Sequence, residues 1–192
     1  MKVLLLDNFD SFTHMLQDYL EQCGADCLVL RNNDPLLDTI GSDMFDALVI
    51  SPGPETPIKA GKLMDTLEKF IGKKPILGIC LGFQAIGLQF GATLQKAKIP
   101  RHGKVDEHNH MGNSLFDSVP SKFFATRYHS LILTNLPNNL EAICWSGNEI
   151  MGLVHTQLPI WGVQFHPESC ETPEGIKMVK NFLNEAKKIA QI

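Results

Sequence analysis

The chain predicts an α/β fold, an open, mostly parallel sheet flanked by helices with extra β pieces in its second half. Three observations carry this. Short apolar runs that do not alternate, as strands buried on both faces leave them, occur at residues 2–7, 26–30, 47–51 and 75–80. Helical periodicities lie between these runs. At 192 residues and 44% hydrophobic composition, the chain can build one core without a second domain, so residues 1–192 are read as a single domain.

Each element follows in order. The first strand stops at Asp7, and Phe12, Met15, Leu16, Tyr19, Leu20 and Cys23 then fall on one helical face. The second strand spans 26–30 and the third 47–51. A rigid loop follows, Ser51-Pro52-Gly53-Pro54-Glu55-Thr56-Pro57, and then Leu63, Met64, Leu67, Phe70 and Ile71 at helical spacing. The fourth strand, 75–80, runs into Gly78-Ile79-Cys80-Leu81-Gly82. Repeated strand, helix, strand implies right-handed crossovers and places a site outside the carboxyl ends of the strands, where residues 7–13, 51–57 and Cys80 emerge. In the second half, β-like pieces lie near 123–127, 140–145, 150–155 and 160–165. The closing helix has Thr172 as its cap, Pro173 at its first position, and Ile176, Val179, Leu183, Ala186 and Ala190 along one face. No internal repeat, low-complexity tract or linker interrupts the chain.

Composition excludes several classes. Seventeen basic and twenty-one acidic residues give a formal charge of −4, and no Lys/Arg run would track a phosphate backbone, so nucleic acid is not an expected partner. The first apolar stretch ends at Asp7, too short for a secretory core or a membrane span, so no membrane is involved and a cytoplasmic protein is expected. Cysteines at 23, 27, 80, 144 and 170 contain no CxxC pair, which indicates reduced thiols rather than a disulfide framework or zinc site. His102, His108 and His110 in RHGKVDEHNH match no standard ligand spacing. They read as a polar loop, and no metal is predicted.

The chemistry centres on residues 78–82. A cysteine between two glycines, after a buried strand and before a helix, has the form of a nucleophile elbow. The sharp turn strains the central residue, the glycines remove side chains that would collide, and the thiol is presented to solvent. The free amides and dipole of the following helix favour negative charge at the sulfur, and the Leu81 amide is placed to donate to an adjacent oxyanion. Taken alone, the segment reads equally well as an inert buried cysteine beside a close helix–strand contact. Partners decide between them. In GVQFHPES, residues 162–169, His166 precedes proline and is therefore extended, so Glu168 projects to the same side roughly 6–7 Å along the backbone. That spacing suits a base and the carboxylate that orients it. Gly53 in its proline-rich loop lets a backbone amide approach a ligand, as the second donor of an oxyanion hole must.

The segments SPGPxTP, GICLGFQA, RYHSL and GVQFHPES, in this order, resemble the class I (triad) glutamine amidotransferases over nearly the whole chain. The opening Asp7-Asn8-Phe9-Asp10-Ser11-Phe12-Thr13 and the segment 150–154 are similar to the branch that serves chorismate-using synthases, the glutaminase subunits for anthranilate and aminodeoxychorismate synthesis. The resemblance implies a flavodoxin-like sheet, hydrolysis of L-glutamine through a cysteine thioester, no cofactor, and delivery of ammonia to a chorismate-binding synthase large subunit in a hetero-oligomer. It implies Cys80, His166 and Glu168 as catalytic triad. Gly53, Glu55, Leu81, Gln84, Ser130 and Leu131 would hold glutamine, largely by backbone groups. Tyr128 and His129 flank Ser130 and are read, from that position alone, as supports for it. The 7–13 loop would lie at the partner interface. Two positions depart from the family pattern. Glu55 stands where glycine is common, adding a charge and restricting the backbone, and Phe83 stands where histidine is common, with an effect expected on packing or on partner contact. Two alternatives stay open: a glutaminase subunit for another synthase, making GMP or carbamoyl phosphate, and a non-catalytic flavodoxin-like binding module.

Overall fold

A computed structural model describes residues 1–190. Among them the order is β1 (Lys2–Asp7), α1 (Thr13–Gln22), β2 (Asp26–Arg31), α2 (Leu36–Thr39), β3 (Ala47–Ile50), α3 (Leu63–Phe70), β4 (Ile76–Ile79) and α4 (Leu81–Phe90). The chain continues through β5 (Thr93–Lys96), β6 (Lys104–His110), β7 (Lys122–Arg127), β8 (Leu131–Thr134), β9 (Leu140–Ser146), β10 (Glu149–His155), β11 (Ile160–Val163) and α5 (Gly175–Ala190).

Nine strands form one sheet in the order β2-β1-β3-β4-β11-β10-β9-β6-β7, and β5 pairs with β8 apart from it. From β2 to β11 every pairing is parallel, and from β11 to β7 every pairing is antiparallel. Alternation along β1 shows why the sheet must be covered twice. Val3 and Leu5 pack with Leu16 and Leu20 of α1 and Val179, Phe182 and Leu183 of α5. Leu4 and Leu6 pack with Leu63 and Leu67 of α3 and Phe83 and Ile86 of α4. A strand apolar on both faces has no solvent side, which is what the unalternating runs in the sequence encode. β11 seats between β4 and β10, with Gly162 opposite Gly78. The last segment of the sheet thereby lies beside the strand that carries the cysteine.

Three expectations are corrected, and a fourth, on Phe83, is narrowed to packing. Residues 104–110 are β6, not a polar loop. Asp106, His108 and His110 alternate inward, with His108 stacked on Phe123 at 5.4 Å and edge-on to Phe165 at 5.0 Å, and His110 stacked on Phe116 at 4.5 Å. The imidazoles pack as aromatic rings, so a strand periodicity was hidden by residues that count as polar. The closing helix starts at Gly175, and Thr172 does not cap it by side chain: its hydroxyl donates to the His166 carbonyl at 2.8 Å and accepts from the Thr126 amide at 3.1 Å. Along α5, Met178 and Phe182 are buried where Ile176 and Ala190 were expected, and those two are exposed. Phe83 is fully buried against Gly162, where an added Cβ would lie 3.1 Å from its ring. It acts on packing and has no surface left for a partner.

Candidate active site

One residue separates β4 from α4, and that residue is Cys80, with φ 52° and ψ −96°. Such a conformation costs a non-glycine residue on the order of 1–3 kcal/mol and persists only where neighbours enforce it. Here the Cys80 amide donates to the Val163 carbonyl at 2.8 Å, and the Cys80 carbonyl accepts from the Gln84 amide at 3.1 Å. The flanking glycines are steric necessities. A Cβ on Gly78 would stand 2.4 Å from the carbonyl carbon of Gly82, and one on Gly82 would stand 2.7 Å from the Ile50 carbonyl oxygen. Tight helix–strand packing and the elbow are thus one device, not rival readings. The expected open presentation of the thiol is corrected: Cys80 is only 7% exposed. The first amides of α4, which lack intrahelical acceptors, begin at Leu81.

His166 arrives after β11. Its amide donates to the Thr126 carbonyl at 3.0 Å, and its carbonyl is held by Thr172, so both sides of its backbone are tied to β7 and the turn before α5. Its Nδ1 lies 2.6 Å from Glu168 Oε1, both residues being buried, while His166 Nε2 and Glu168 Oε2 have no partner among the described residues. Burial disfavours the imidazolium, yet the Glu168 carboxylate and the neighbouring Cys80 outweigh it and hold the His166 pKa well above its ordinary value. Phe12 and Tyr128 meet the ring edge to face, with centroids at 5.7 and 5.0 Å. Asp10 belongs to this neighbourhood. Burial chiefly raises its pKa, with Glu168 and Asp7 adding to that and the Phe12 amide and His166 opposing it.

Cys80, Gln84 and Leu131 are joined in one hydrogen-bonded chain. Gln84 Nε2 donates to the Leu131 carbonyl at 3.4 Å and to Gln164 Oε1 at 3.1 Å, and Gln164 Nε2 donates to Cys80 Sγ at 3.5 Å. Gly53 rests against Asn8 and Leu81, so closely that a Cβ would lie 2.6 and 2.8 Å from their side chains. Glu55 adopts φ 62°, the left-handed region where glycine carries no penalty, and its exposed carboxylate pairs with Lys59 at 3.4 Å. Ser130 is exposed and its carbonyl accepts from the Ala97 amide at 2.9 Å. The expected support of Ser130 by Tyr128 and His129 takes another form: Tyr128 packs on His166, and His129 Nδ1 donates to the Leu131 carbonyl at 2.9 Å while its Nε2 accepts from Arg127 Nε at 3.0 Å.

Gln164 is a member of the site that the motifs do not mark, although a signal for it exists. It stands two residues before His166 and directly after β11, a spacing that on an extended backbone puts two side chains on the same side. Phe12 and the Thr126–Thr172 anchors leave no such trace, since only the folded sheet brings them to residue 166.

A cavity of about 380 Å³ lined by Asn8, Phe9, Pro54 and Glu55 opens beside these loops, whereas one of about 500 Å³ over Arg127 contains none of Cys80, His166 and Glu168. Among the described residues no cluster of three or more His, Cys, Asp or Glu is placed to hold a metal ion, and no helix is long and apolar enough to cross a membrane.

A family model described as glutamine amidotransferase class-I matches residues 4–186. The chain is 45% identical over 193 residues to anthranilate synthase component 2 of Azospirillum brasilense, covering 97% of each chain. It is 41% identical over 189 residues to aminodeoxychorismate/anthranilate synthase component 2 of Bacillus subtilis, again covering 97% of each. A crystal structure of a GMP synthase subunit protein from Thermoplasma acidophilum superimposes with a TM-score of 0.89 at 29% identity, covering 100% of this chain and 96% of that one.

Proposed function

The chain belongs to the class I glutamine amidotransferases, and from that membership we propose that Cys80, His166 and Glu168 form its catalytic triad, hydrolysing L-glutamine and passing ammonia to a chorismate-binding synthase large subunit. The observation that carries this reading is the His166–Glu168 pair, 2.6 Å apart and buried, with the far imidazole nitrogen unpartnered beside a strained cysteine.

In this reading the thiol proton resides on His166 Nε2, as the raised imidazole pKa favours, and Cys80 Sγ attacks the side-chain amide carbon of glutamine. The oxyanion is met by amides near Leu81 and Gly53. His166 returns the proton to the departing nitrogen, ammonia leaves, and the glutamyl group remains as a thioester. His166 then deprotonates a water that attacks the thioester, releasing glutamate and restoring the thiol. Glu168 holds the ring and balances its charge throughout. Glutamine is held by Gly53, Glu55, Leu81, Gln84, Ser130 and Leu131, with Glu55 acting through its backbone.

Ammonia keeps its nucleophilic lone pair only if shielded from protonation, which requires a synthase docked over the site. The names of the relatives at 45% and 41% identity favour anthranilate or aminodeoxychorismate synthesis as the outlet. Supply to a GMP synthase is the second reading, prompted by the structural likeness at 29% identity. The protein is taken as a single amidotransferase domain over residues 1–192, of which 191 and 192 lie outside the described residues, working in the cytoplasm without a cofactor.

The test is glutamate release, with the copurifying synthase present, by the parent and by Cys80→Ala. The variant is expected to lose at least about a thousandfold in kcat. Parent-like turnover in Cys80→Ala removes Cys80 from the mechanism, and the product formed when chorismate is added decides the outlet.

A further inference from the structure

The chain of amides behind Cys80 has a polarity that its far end dictates. The Leu131 carbonyl can only accept, so the Gln84 atom facing it at 3.4 Å is the amide nitrogen. That nitrogen can only donate, so the Gln164 atom facing it at 3.1 Å is the oxygen. The remaining end of Gln164, directed at the Cys80 sulfur at 3.5 Å, is therefore an N–H donor. Nothing in this chain is free to turn. Gln164 is completely buried and Gln84 nearly so, and the Gln164 amide is fixed to the Met151 carbonyl at 2.9 Å. Reversing either side chain would oppose two acceptors or two donors away from water, at a cost of roughly 1–3 kcal/mol for each group left unpaired.

We propose that Gln164 is a positioning residue that fixes the Cys80 sulfur as a hydrogen-bond acceptor and ties it, through Gln84, to the wall of the glutamine site. The inference rests on the reading of Cys80 as the nucleophile. A donor at the sulfur stabilises its anionic form and cannot receive the thiol proton. The proton is left one taker, the unpartnered Nε2 of His166. The same chain makes the nucleophile responsive to substrate. A glutamine that drew the Gln84 amide toward itself would shift the group that orients Gln164, so occupancy of the site is relayed to the sulfur.

The experiment measures iodoacetamide labelling of Cys80 in the full chain across pH, resolved by peptide mapping, with exposed Cys170 as internal reference. In Gln164→Met, which keeps the volume and removes the donor, Cys80 labelling at neutral pH is expected to fall about tenfold to a hundredfold and its pH profile to move upward, while Cys170 is unchanged. Gln164→Glu, which sets a carboxylate against the sulfur, is expected to move it further. Should Gln164→Met not fold, Gln84→Met cuts the chain one link earlier and is expected to slow labelling about threefold or more. Parent-like Cys80 profiles in the folded variants overturn the proposal. Its failure is separable from failure of the triad reading, since labelling reports on the sulfur alone and Cys80→Ala turnover reports on catalysis.

Discussion

At the scale of residues, the histidines set opposite pH responses. His166 is protonated more readily in the native protein than in the unfolded chain, because Glu168 and Cys80 outweigh its burial. Its contribution to stability is fully present below about pH 6.5 and is lost as pH rises through the native value. His108 and His129 behave inversely. Burial, assisted by Arg127, lowers their pKa values to about 4 and about 3. Below about pH 6.5 the unfolded chain binds protons that the native form refuses, and each residue withdraws about 1.4 kcal/mol per pH unit until its native value is reached. The midpoint of urea unfolding is expected to fall steeply between pH 6 and pH 4, and His108→Phe, which retains the ring stacking, is expected to lessen that slope. Identical slopes in parent and variant would remove His108 as the source. Glu55 gives a second prediction. Since φ 62° suits glycine and the carboxylate faces Lys59, Glu55→Gly is expected to leave KM for glutamine within about twofold. A large rise in KM would show that the carboxylate itself binds. Cys80, His166 and Glu168 were legible as candidates because each carries a reactive group in a constrained local frame. The lowered histidines were not legible, because their pKa values are set by burial in the folded sheet, His108 against Phe123 and Phe165, which are distant in the chain, and His129 beside the buried Arg127.

At the scale of elements, the start of α5 is set against the turn that carries His166 and Glu168. A Cβ on Gly175 would lie 1.8 Å from the Pro167 carbonyl oxygen, a contact no relaxed backbone accepts. Gly175→Ala must therefore displace either the helix or the segment that holds His166 and Glu168. The expected outcome is a loss of about 2–3 kcal/mol in chemical unfolding together with a fall in glutaminase kcat, whereas Gly147→Ala, whose Cβ would meet nothing within 4 Å, should affect unfolding alone. Equal kcat in the two variants would contradict the coupling. The parallel strands and α1 and α3 were legible because their apolar runs and helical periods are strong. β6 was not, because its inward residues are Asp106, His108 and His110, and the short pair β5 and β8 carries no pattern longer than four residues.

At the scale of the whole molecule, the carboxyl ends of the parallel strands form the face on which the loops around Cys80 gather. Phe9 is half exposed there, at φ 60° with Arg31 over its ring at 5.3 Å, and Ile58 is 76% exposed on the neighbouring loop. Apolar side chains so displayed beside the site fit a docking surface. Phe9→Asp with Ile58→Asp is expected to weaken association with the synthase by at least about tenfold while leaving the melting temperature near that of the parent; unchanged affinity in a pull-down titration would move the interface elsewhere. The strand order is the feature that no local pattern predicts. β11 follows β4 by some eighty positions yet lies directly against it, so the segment bearing His166 docks beside the cysteine only after β5 to β10 have been laid down. That pairing is a long-range contact, of the kind whose loop-closure cost must be met before it stabilises the fold. In the proposed mechanism the consequence is temporal: a nascent chain that ends before β11 carries Cys80 without His166, so the thiol gains its base only once the far end of the chain has been added to the sheet.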